Sequence, residues 1–101
     1  MLINSKRFLR RIEKINNLKS NYKKAGINRI ALTNEDKRAR DIIINWMKSL
    51  KLTIKIDNIG NIFGLYNYTN KTIPLLLGSH IDSVRNGGKY DGLLGVLGAL
   101  E

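Results

Sequence analysis

A chain of 101 residues with 43% hydrophobic content has room for one small domain and not for two. It contains no cysteine, which excludes disulfides, thiolate metal ligands and cysteine nucleophiles together and fits a reducing, cytoplasmic setting. The formal charge is +10, from 18 Lys and Arg against 8 Asp and Glu, and no apolar run approaches the roughly 20 residues of a membrane span.

The N-terminal stretch "MLINSKRFLRRIEK" is basic but lacks the continuous apolar segment of a secretory signal. Its alternating Asn and Lys also fit an organelle transit peptide poorly. Apolar residues at helical spacing (Phe8, Leu9, Ile12, Ile15, Leu18, Tyr22) predict a helix over 5–25, with Gly26 as its stop. The charge is densest over 6–24, on what reads as the solvated face of that helix. No aromatic ladder, zinc spacing or recognition-helix pattern accompanies it, so a nucleic-acid partner would rest on charge alone.

Thr33 suits an N-cap, with Asp36 three residues on in a capping-box position. It opens a second predicted helix over 34–50, with Ala39, Ile42, Ile43, Trp46, Met47 and Leu50 on its apolar face. From Leu52 the period changes to two. Strands over 52–57 and 61–68 flank the turn "DNIGN" and predict a hairpin. After the turn "YTNKT", the stretch "IPLLLGSH" is apolar on both faces, as a central strand over 73–79 would be. A loop over 83–90 leads to a last helix from about 91, whose three glycines suggest close packing. The order helix, helix, hairpin, strand, helix is an α/β arrangement.

His80, the only histidine, falls at the carboxyl end of that third strand, where open α/β sheets bind ligands. Asp82 lies two residues on, so both side chains can face one cavity. Asp91 can return toward them through a loop carrying Gly87 and Gly88, since glycine adopts backbone angles that other residues avoid. One His and two Asp suit a divalent cation such as Zn or Mn. By composition alone, however, a lone His with nearby Asp is more often a surface hydrogen-bonding group.

The segment "GSHIDSVRNGGKYDGLLGVLGALE" closely resembles the first metal-ligand motif of the dinuclear metal amidohydrolases related to aminoacylase. Within them it is most similar to the hydantoinase/carbamoylase branch, which includes allantoate amidohydrolases, N-carbamoyl-L-amino-acid hydrolases and β-ureidopropionases. The GSHxDSV, NGGxYDG and GVLxxLE elements agree in order and spacing. Upstream, "RIALTNEDKRARD", "WMKSLKL" and "DNIGNIFG" agree as well, so the resemblance covers about residues 26–101.

The resemblance implies part of a three-layer, zinc-exopeptidase-like catalytic domain. It makes His80 a ligand of one metal, Asp91 the bridge between two, and Asp82 the catalytic-site carboxylate that supports the histidine. Gly87 and Gly88 match the loop that delivers the bridging aspartate, and Glu101 matches the glutamate of the "LE" element. Two Zn or Mn ions, a small carbamoyl or ureido substrate and a homodimer are implied for the complete enzyme. In that family the glutamate pair that supplies the general base, the remaining histidine ligands and the lid and dimerisation domain all fall beyond position 101. The expectation is therefore the N-terminal part of a longer hydrolase, inactive alone, exposing apolar surface and able to associate with the missing part. The alternative is a non-catalytic remnant or interaction fragment.

Overall fold

A computed structural model describes residues 3–19, 25–71 and 73–101. The chain forms two compact units. One combines the residues up to Arg40 with Leu77–Glu101, and the other is Asp41–Leu76. Among the described residues no helix is long and apolar enough to cross a membrane.

In the first unit, helix α1 (Ser5–Asn16) begins at an Asn4 cap whose side chain accepts the Arg7 N–H at 3.0 Å. It buries Ile12 and Ile15 and packs on helix α3 (Leu93–Leu100), which buries Leu93, Val96 and Leu97. Full burial of each such side chain stabilises by about 1.5–3 kcal/mol, so this apolar seam is the core of the unit. Helix α1 stops nine residues before the predicted position 25. Consecutive asparagines end it: their side chains compete for backbone groups, and the Asn16 amide donates instead to the Lys89 carbonyl at 2.7 Å. The predicted continuation through Tyr22 falls on 20–24, outside the described residues.

Glu101 ties the two helices together. Its carboxylate accepts from the Arg7 guanidinium at 2.7 Å, from Arg11 at 3.3 Å and from the Asn4 N–H at 3.1 Å, with a side chain only 1% exposed. Hydrogen bonds from Arg7 hold this carboxyl below the usual range; burial pushes the other way, and the Arg7 and Arg11 charges and the Asn4 N–H add to the lowering. A depressed folded-state pKa contributes stability that is complete above the unfolded value of about 4.3 and is lost as pH falls through the folded value. Urea midpoints should therefore separate the parent chain from Glu101→Gln at pH 6, and the two should converge only as pH falls through the depressed folded-state value. A constant gap across that range would mean that the carboxylate does not tie the helices electrostatically.

Helix α2 (Asn34–Ser49) starts as its sequence suggests, with a shifted cap. The Asp36 N–H reaches the Thr33 hydroxyl at 3.4 Å, but the Asp36 carboxylate accepts from Leu32 N–H at 3.1 Å rather than from Thr33. The second unit holds an antiparallel hairpin of β1 (Thr53–Ile56) and β2 (Ile62–Leu65), in the register Thr53↔Leu65 to Ile56↔Ile62. Asp57 builds the turn: its carboxylate accepts from Ile59 N–H, Asn61 N–H and the Asn61 amide at 3.1, 2.8 and 2.8 Å. Gly64 lets Leu52 and Met47 lie against the hairpin, since a Cβ there would stand 2.8 Å from the Leu52 methyl.

The strand predicted over 73–79 is not formed. The sheet has two strands among the described residues, and Ile73, Leu75 and Leu76 are 99%, 85% and 76% exposed. A both-faces-apolar pattern reports the environment a strand is suited to, and among the described residues no neighbouring strand or covering layer supplies it. Among the described residues the architecture is therefore a small α/β fold of three helices and a two-stranded sheet.

Candidate metal centre

The segment carrying His80 and Asp82 is held by the stretch before α2. Ile27 and Gly87 exchange backbone hydrogen bonds, each of 2.9 Å. Two residues along, Ser83 N–H donates to the Arg29 carbonyl at 2.8 Å, and the Ser83 hydroxyl accepts the Arg29 N–H at 2.9 Å. Asn28 extends the clasp by accepting Asn86 N–H at 2.8 Å. The Arg29 side chain closes it. Only 4% of that residue is exposed, and its Nε donates to the Ile81 carbonyl at 2.7 Å. Burial lowers the pKa of this guanidinium, against the opposing pull of Asp36 and then Asp82.

On this frame the three predicted residues converge. The His80 Nδ1 lies 3.0 Å from the Asp82 carbonyl oxygen and 3.3 Å from its carboxylate. A carbonyl only accepts, so this contact requires a proton on Nδ1; in the neutral ring the Nε2 lone pair is then the one that can bind a cation. Nε2 faces the Asp91 carboxylate at 3.8 Å. That separation is too long for a direct hydrogen bond. It fits two donors on one ion: ligands each about 2.0–2.2 Å from a metal lie at most about 4.4 Å apart. The side chains of His80, Asp82 and Asp91 are 50%, 44% and 64% exposed, so the group opens to solvent.

His80 and Asp91 could hold a divalent ion, with Asp82 behind the imidazole. Among the described residues no cluster of three or more His, Cys, Asp or Glu side chains is placed to hold a metal ion. The histidine does not end a strand, because residues 73–79 pair with no strand among the described residues. The positive backbone angles expected at Gly87 and Gly88 occur at Asn86 (φ 54°) and Gly92 (φ 65°). Gly87 instead serves the bridge to Ile27, and a Cβ at Gly88 would meet open space. Arg29 and Gly92 were not singled out from the sequence. The one signal for Arg29 is a lone charge among the apolar residues of "GINRIAL".

No family model matches the chain. It is 44% identical over 80 residues to the N-carbamoyl-L-amino-acid amidohydrolase of Pseudomonas sp. (strain NS671), covering 78% of this chain and 19% of that enzyme. It is 42% identical over 76 residues to the ureidoglycolate hydrolase of Arabidopsis thaliana, covering 74% of this chain and 16% of that protein. Among solved structures, a hydantoinase/carbamoylase family amidase from Burkholderia ambifaria superposes with a TM-score of 0.88 at 33% identity, over 98% of this chain and 24% of that one. The chain thus spans less than a quarter of the length of each of these proteins.

Proposed function

The chain belongs to the hydantoinase/carbamoylase family of amidases, and from that premise we propose that it carries the first metal-ligand elements of a hydrolase acting on non-peptide C–N bonds. Linear amides such as N-carbamoyl amino acids, allantoate or ureido compounds are the substrate class. The observation that carries the reading is the pairing of His80 Nε2 with the Asp91 carboxylate at 3.8 Å while Nδ1 is engaged by Asp82. Zn or Mn bound there would polarise the scissile carbonyl and lower the pKa of a bound water. His80 and Asp91 would hold the ion. Asp82 fixes the tautomer that makes Nε2 a ligand. The remaining ligands and a general base for that water come from outside these three residues.

Titration of the purified chain with Zn or Mn should give weak binding, because two protein ligands leave most coordination positions to water. His80→Ala should abolish it. Asp82→Asn should weaken it by about tenfold, in the manner of a group that orients a ligand. Ammonia release from N-carbamoyl amino acids or allantoate should stay at background. Turnover that survives His80→Ala would overturn the reading, because the chemistry would then lie elsewhere. A non-catalytic interaction role is the second reading, favoured by the exposure of Ile73, Leu75 and Leu76.

A further inference from the structure

We propose that Gly92 is a positioning residue: its bare backbone forms the wall against which the His80 imidazole stands, and its tight turn sets the Asp91 carboxylate in front of Nε2. The inference rests on the reading of His80 and Asp91 as cation ligands and extends it to a residue that touches neither ion nor substrate.

Two observations carry it. First, Gly92 has φ 65° and ψ −50°, and the Leu93 N–H donates across it to the Asp91 carbonyl at 2.6 Å. This is a three-residue turn of the rare, positive-φ kind, which side chains disfavour. It reverses the chain between the metal-facing carboxylate and the first residue of α3. Second, a Cβ built at Gly92 would stand 2.5 Å from His80 Cε1, Nδ1 and the carbonyl oxygen. The ring could swing away from such a group, but the carbonyl belongs to the backbone and could not give cheaply. By contrast, a Cβ at Gly88 or Gly98 would meet nothing within 4 Å. The crowded atom Nδ1 is the one whose N–H is directed at the Asp82 carbonyl. Any side chain at position 92 would therefore tilt the ring, break that hydrogen bond and release the tautomer that leaves Nε2 free to coordinate.

The test is NMR spectroscopy on the full chain at pH 8 without metal, joined to Zn titration. In the parent chain, ring ¹⁵N–¹H correlations should report a single Nδ1–H tautomer for His80, with an NOE from its Hε1 to the Gly92 Hα protons. Gly92→Ala should give mixed tautomers and at least a tenfold loss of Zn affinity, while Gly98→Ala keeps both. Leu97→Ala, a core change that destabilises without touching the ring, should keep the tautomer and the affinity. Retention of the single tautomer by Gly92→Ala overturns the proposal. So does the absence of the Hε1–Hα NOE in the parent chain, a measurement that stands even if the variant fails to fold. If the parent shows the tautomer and the NOE but no His80-dependent Zn binding, the positioning inference survives and the metal reading fails.

Discussion

Arg29→Met should destabilise the unit containing α1 and α3 by about 2–4 kcal/mol, read as a lower urea midpoint. The side chain is almost fully buried, and its Nε–H is the donor to the Ile81 carbonyl. Methionine fills much of the volume but leaves that carbonyl without this donor. It also leaves Asp36, 6% exposed, without the nearby positive charge. Asp82 loses the same charge, but its half-exposed side chain is screened by water and adds little. Set against the roughly 0.05–0.15 kcal/mol per residue that small domains possess, this is a large share of the total. Arg29→Lys should fall between the two, because an ammonium retains charge without the planar fork. A methionine variant within 0.5 kcal/mol of the parent would show that the guanidinium is not what holds the His80 segment.

Self-association should be pronounced, and Leu75→Glu/Leu76→Glu should suppress it. In the parent chain Ile73, Leu75 and Leu76 stand mostly in water, next to backbone that pairs with no strand among the described residues. Contiguous apolar surface with free N–H and C=O groups is a template for another chain. The glutamates make the experiment decisive, since they take the formal charge from +10 to +8 (10 − 2) and so weaken the repulsion between copies. Association driven by the leucines should fall despite the lower charge, whereas association by generic attraction should rise. Sedimentation velocity across a concentration series, with dye binding to exposed apolar surface, separates these outcomes. A parent chain that stays monomeric at high concentration would show that this run is tolerated in water.

What was legible in the sequence was local. The alternation in "LTIKI" and the Asp, Asn and Gly of "DNIGN" encode a hairpin within 14 residues, and β1, β2 and the Asp57 turn follow from them. The His80, Asp82 and Asp91 grouping was also legible, because the ten positions between His80 and Asp91 and the loop among them bound how far apart they can lie. The strand over 73–79 was misread because hydrophobicity specifies a preferred environment and not its presence. Glu101 and Arg29 were opaque for another reason. Their partners are 90 to 97 and 52 to 54 positions away, and no periodicity spans such distances. The glycines show the remaining limit: sequence points to a flexible loop at Gly87 and Gly88, while the fold shows that beside His80 it is position 92 where a side chain would clash.

The contact between Asn4, Arg7 and Glu101 has a consequence for synthesis on the ribosome. Helix α1 is made well before the carboxylate that anchors it and the α3 face that covers Ile12 and Ile15. At roughly 5–20 residues per second, the nascent helix waits about 4–17 s before its partner exists. During that interval its apolar stripe is open to chaperones and to neighbouring nascent chains. The first unit closes only when translation has reached the residue that clasps its beginning.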